Sequence, residues 1–189
     1  MNIGVLRKVS AIGIMLLIPF AEVGCRKKEP PRGTGGEEAI TLSALHEIEN
    51  YQEILKKDPN NLQALINIGN LYFDTRQDRM AIDHYRRALS IDPRNVNVRT
   101  DMAICYRRTG NYDKAIEELK KVISLDPRHP QSRYNLGVIL IYDKKDIEGG
   151  IKAWEGLLEN IPDYPYRDSL KTEIAKMRVT VDSMKPKTK

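Results

Sequence analysis

The chain has 189 residues and few of the residue types that build reactive sites. Its two cysteines, Cys25 and Cys105, cannot form a disulfide framework. Its three histidines, His46, His84 and His129, are scattered, and none stands at metal-ligand spacing from a Cys or another His. No metal site is expected, and His84 is expected at the surface. One Gly-rich stretch, "RGTGGEE", lacks the preceding strand and the Lys-Ser/Thr pair of a phosphate loop. Catalytic residues, a cofactor and a small-molecule substrate are therefore not expected. The formal net charge is +5, but residues 40–165 hold 18 Lys/Arg against 19 Asp/Glu. A near-neutral body without a basic stripe argues against nucleic acid as a partner. The basic excess falls at the C-terminal end, which finishes in "KPKTK".

The first 25 residues differ in kind. Arg7 and Lys8 precede an apolar stretch from Val9 to Ile18, then Pro19 and small residues. That is the layout of a secretory signal, and the stretch is short for a membrane span of about 20 residues. Gly24-Cys25 directly after it resembles the lipobox of bacterial lipoproteins. The resemblance implies lipid attachment at Cys25 after removal of residues 1–24. An uncleaved signal anchor and a plain secreted protein are the other readings. Residues 25–39, charged and then rich in Pro and Gly, read as a flexible tether. No Asp follows Cys25, so the lipobox resemblance permits an outer-membrane destination without fixing it.

What the chain does have is a period. Asp-Pro recurs at Pro59, Pro93 and Pro127, in steps of 34 residues. Proline cannot sit inside a helix and moves its predecessor out of the α region, so each Asp-Pro ends a helix. Asn61 and Asn95 stand next as helix N-caps, and Pro130 takes a first helical position. Leu65, Ile68, Leu71 and Tyr72, then Ile82, Tyr85, Ala88 and Leu89, show helical spacing. Each 34-residue unit thus reads as two antiparallel amphipathic helices. Gly69, Ala103 and Gly137 recur at one position, and Ala81, Ala115 and Gly150 at another, where two helices must approach closely.

The motif Ile68-Gly69, Tyr72, Ala81, Tyr85, Ala88 and Pro93 resembles the tetratricopeptide repeat, a 34-residue helix–turn–helix unit. The repeats are 62–95, 96–129 and 130–164, the third with one extra residue expected in its internal turn. Residues 40–61 read as a half-repeat, with Leu45, Ile48, Tyr51, Ile54 and Leu55 on one stripe. Residues 165–184 read as a capping helix with Leu170, Ile174, Met177 and Val181 inward, and residues 185–189 as a basic tail. The expected fold is all-α, a helical-hairpin solenoid of eight helices. Cys105 is expected to be buried and inert.

The resemblance further implies a concave groove lined by first helices, holding an extended or helical segment of a protein partner. Its expected residues are Asn67, Asn70, Phe73, Asp101, Ile104, Arg107, Arg108, Tyr134 and Asn135. Asn67, Asp101 and Asn135 form a polar row 34 residues apart. Family members that clamp a C-terminal carboxylate use Lys and Arg where this chain has Ile66, Asp101 and Gln131, so a chaperone-tail adaptor is not expected. The expected role is a membrane-tethered scaffold facing the periplasm of a bacterial envelope. Pilus or secretion assembly, outer-membrane biogenesis and cytochrome c maturation are the settings the resemblance suggests. A self-assembling structural protein is the rival class, and an enzyme or its regulatory subunit a third.

Overall fold

The computed structural model describes residues 36–184, and side chains from Leu42 onward. The expected signal segment, Cys25, most of the tether and the basic tail lie outside the described residues. Eight α-helices and no strand occur among the described residues. They are α1 (Gly36–Lys57), α2 (Leu62–Asp74), α3 (Asp78–Ile91), α4 (Val96–Arg108), α5 (Tyr112–Leu125), α6 (Pro130–Val138), α7 (Ile147–Asn160) and α8 (Arg167–Met184). The expectation of a tether reaching residue 39 is corrected, because α1 begins at Gly36. No Gly or Pro follows Gly36 until Pro59, so nothing local stops that helix sooner.

The Asp-Pro stops work through their aspartates as well. Asp58, Asp92 and Asp126 each accept from the backbone N–H two residues on, at 3.2, 3.2 and 2.9 Å. Asn61 and Asn95 then cap α2 and α4, accepting from Ala64 N–H and Val98 N–H. In the third repeat His129 replaces the Asn. Its Nδ1 accepts from Ser132 N–H at 3.3 Å, and Pro130 fills the first helical turn. The carbonyl of each stop proline receives an arginine: Arg87 on Pro59, Arg99 on Pro93, Arg133 on Pro127 and Arg167 on Pro162.

The turn inside each repeat is a left-handed C-cap. Arg76, Gly110 and Lys145 have φ of 62°, 77° and 60°. Gln77 N–H donates to Tyr72 O, and Asn111 N–H to Tyr106 O, the wide bond of a Schellman motif. The third repeat differs. Asp146 N–H reaches back to Leu140 O, one residue further, and residues 139–143 form a π-helical turn. The extra residue was expected in the turn. It is instead absorbed at the end of the first helix by widening its hydrogen-bonded rings, which keeps the three-residue turn intact.

Small residues meet large ones as the register requires. A Cβ on Gly69 would stand 2.6 Å from the Tyr85 ring, and one on Gly137 2.2 Å from Trp154 Nε1. The middle repeat has Ala103 and Leu119, both fully buried. Where the large partner is aromatic, the small one is glycine. Where it is leucine, alanine fits.

Candidate partner-binding face

The curvature follows from the contacts. First helices touch each other, α2 with α4 and α4 with α6, while second helices α3, α5 and α7 make no comparable contact with one another. The first-helix side is therefore the tighter, concave side.

The expected groove residues divide by how they are held. Asn67 accepts from Gln63 Nε2 at 2.8 Å and is partly exposed. Asn70 accepts from the buried Tyr85 hydroxyl at 2.8 Å, so its carbonyl oxygen serves the fold. Asp101, Ile104 and Asn135 are partly exposed on α4 and α6. The Tyr134 ring stacks on Trp154 with centroids 5.9 Å apart, and its backbone carbonyl accepts from Trp154 Nε1 at 3.0 Å. Burial, with Tyr164, Tyr142 and Glu173 nearby, pushes the Tyr134 hydroxyl up to about 12. It stays a neutral donor and acceptor at any physiological pH.

The two arginines expected in the groove are held by carboxylates within the chain. Arg108 packs on the preceding repeat. Its guanidinium lies 4.3 Å above the Phe73 ring, and Nη1 is 3.4 Å from Asp78 Oδ1. The two charged side chains are only 9% and 11% exposed. Arg107 Nε lies 2.6 Å from Asp143 Oδ2, at the π-helical turn. Phe73 is likewise occupied, its face covered by Arg108. These three residues join repeats to one another. Adjacent in sequence, Arg107 holds the repeat ahead and Arg108 the repeat behind.

Of the histidines, His84 departs from expectation and His129 takes a cap. His84 is half-buried rather than exposed, its ring 5.6 Å from that of Tyr72, and burial lowers its pKa. His129 is buried in its capping role. Spacing alone could not show either, although the alignment of His129 with Asn61 and Asn95 was a usable signal. Cys105 is buried, and its thiol is pushed upward by burial and by contact with Asp78. Among the described residues no group of His, Cys, Asp and Glu is arranged to hold a metal ion. No helix among them is long and apolar enough to cross a membrane.

Comparison with known proteins agrees with this geometry. Residues 62–95 match one tetratricopeptide repeat model and residues 80–134 another. The chain carries tetratricopeptide repeats, and its fold is a helical-hairpin solenoid of that kind. Among solved structures it is similar to MamA, with 19% identity and a TM-score of 0.62 over 82% of this chain and 98% of that one. It is similar to the first tetratricopeptide domain of Spaghetti (RPAP3), bound to the HSP90 peptide SRMEEVD. There the values are 23% identity and TM-score 0.56, over 66% of this chain and 96% of that one. The type III secretion translocator chaperone SycD of Yersinia enterocolitica gives 16% and 0.57, over 66% and 95%. At these identities the likeness speaks for the fold. No curated protein matches this chain.

Proposed function

We propose that the chain is a protein–protein interaction scaffold that takes a partner segment on its concave face. It is tethered to a bacterial membrane and serves the assembly of an envelope complex. The observation that carries this is the row Asn67, Asp101 and Asn135, one residue per first helix, on the side where first helices touch. A row of amide and carboxylate groups at even spacing suits an extended backbone, which offers donors and acceptors in turn. Similarity to a tetratricopeptide domain bound to a peptide supports the same reading. Since Arg107 and Arg108 are committed to Asp143 and Asp78, selectivity falls to Ile104, Tyr134 and the amide row. Interface energy concentrates in few residues, aromatic ones prominent among them.

The test is to capture the partner by crosslinking in native membranes and to compare variants that stay folded. Asn67→Ala with Asn135→Ala, and separately Tyr134→Phe, should each weaken capture. Exchange of Glu117 and Lys121 on the outer helix α5 should not. The reading fails if the outer changes lose the partner while the concave changes keep it. The tether has its own test. Cys25→Ser should abolish labelling by a fatty-acid analogue, and a mature N-terminus at Met1 would transfer the role to an uncleaved anchor.

A further inference from the structure

α1 and α8 have the surfaces of two halves of one repeat. Stepping back 34 residues from α3 puts Glu47, Tyr51 and Ile54 of α1 where Ala81, Tyr85 and Ala88 stand. In complete repeats that row is closed: Ala81, Tyr85, Ala115, Leu119 and Val122 are 0% exposed. In α1 it is open. Glu47 is exposed, Tyr51 is only partly covered, and Ile54 is 41% exposed. No helix precedes α1 among the described residues to serve as its first helix in register. That helix would fall at 28–40, which contains Pro30, Pro31, Gly33 and Gly35 and whose last residues already belong to α1.

α8 has the register of a first helix. Leu170, Ile174 and Met177 pack back on the preceding pair, as Val98, Met102 and Cys105 of α4 do. Lys171, Ala175 and Arg178 then take the places of Arg99, Ala103 and Tyr106, which face their own second helix. Ala175 thus keeps the small residue found at Gly69, Ala103 and Gly137. Here all three residues are exposed; Arg178 pairs with Glu155 of α7, and no further helix among the described residues packs on Lys171 or Ala175.

We propose that this chain assembles head to tail, α8 of one copy packing antiparallel on α1 of the next, so that two half-repeats complete one repeat across the junction. Ala175 then faces Tyr51, the small-against-large pairing of Gly69 with Tyr85. In the antiparallel register Arg178, which within one copy pairs with Glu155 of α7, also comes to Glu47, a contact of opposite charge. The two ends carry the same complementarity. Residues 36–55 hold five acidic residues and no Lys or Arg, and residues 166–189 hold seven Lys/Arg against three Asp/Glu. Two different surfaces meet, so the contact propagates from copy to copy rather than closing as a two-fold dimer.

The experiment uses the full-length chain in its membranes. Asn50→Cys and Lys171→Cys are exposed positions that stand where the paired Glu118 and Arg99 stand in the middle repeat. A short bismaleimide should give the double variant a ladder of dimer, trimer and higher species, with each single variant at the wild-type background. A ladder-free double variant overturns the proposal, as it would if α1 were covered by an unrelated protein or by the chain's own N-terminal segment. Dimers from either single variant overturn it too, because they would place like ends together. Glu47→Arg and Arg178→Glu should each lower the crosslinked fraction several-fold, and their combination should restore it. Failure to restore, in protein whose helical circular dichroism is unchanged, rules out this register.

Discussion

Trp154 lies over Gly137 so closely that a Cβ there would stand 2.2 Å from the indole nitrogen, which donates to the Tyr134 carbonyl. Tyr85 lies over Gly69 in the same way, whereas Leu119 stands by Ala103. Each repeat has solved one packing problem with its own pair of sizes. Gly137→Ala should therefore cost about 1–3 kcal/mol, the usual range for overpacking a core. The cost is not a helix-propensity effect, since alanine is the better helix former. Combined with Trp154→Leu, the same alanine should cost less than the sum of the two single changes, because the pair then copies Ala103 and Leu119. Urea unfolding of the four proteins measures the coupling, and strict additivity would contradict the register.

That pairing was legible in the sequence because it depends on short spacings and one period. Helix ends were legible for the same reason, Asp-Pro and Asn being local signals. The π-helical turn was not. An extra residue in a repeat can sit in the turn or in the helix before it, and only the packing of Ile141 against Gly150 decides. How the expected groove residues are held was half legible. Their polar row follows the period, but the commitments of Arg107 and Arg108 span 36 and 30 residues to Asp143 and Asp78. Whether a long side chain meets a ligand or the next repeat depends on which helix ends face each other. His84 failed for a similar reason, its neighbour Tyr72 lying on the other helix of its repeat.

Arg108 is accordingly expected to matter for stability before binding. Arg108→Ala would leave the Asp78 carboxylate nearly buried beside the Cys105 thiol. Breaking a buried pair on one side typically costs about 3–5 kcal/mol. Arg107→Ala, at a side chain 37% exposed, should cost about 1 kcal/mol or less. Thermal or urea midpoints distinguish the two, and equal losses would contradict the assignment of Arg108 to the inter-repeat contact. Asp78→Asn combined with Arg108→Ala should recover part of the loss.

Cys105 should be unreactive in the folded protein. Its thiol is fully buried and its pKa is raised by burial and by Asp78, so almost no thiolate exists at neutral pH. Alkylation of Cys105 should require opening of the repeat and should speed up in proportion as urea favours that opening. Rapid labelling in native buffer, with Cys25 replaced by Ser, would contradict the buried placement. Arg108→Ala should accelerate labelling, because it loosens the contact that covers the thiol.

The pH dependence of stability should rest in part on His129. Its Nδ1 accepts from Ser132 N–H, and Nε2 lies 3.4 Å from Asn97 Oδ1, so the neutral ring with the proton on Nε2 satisfies both. A second proton would turn the capping acceptor into a donor aimed at another N–H. Burial lowers the pKa of His129, opposed by Asp126, and burial with Arg87 lowers that of His84. A histidine whose folded pKa is depressed binds its proton more readily in the unfolded chain. Its stabilising contribution is thus complete above the unfolded value of about 6.5 and is lost as pH falls through the lower folded value. Stability should begin to drop below about pH 6.5, before most carboxylates titrate. His129→Asn supplies the cap that α2 and α4 use and removes the titration. It should match the parent within about 1 kcal/mol at pH 7.5, the usual scale of a cap, and be the more stable protein at pH 5.5. Urea midpoints at the two pH values decide it. An unchanged difference between the proteins at both pH values would mean that the His129 cap does not titrate in this range.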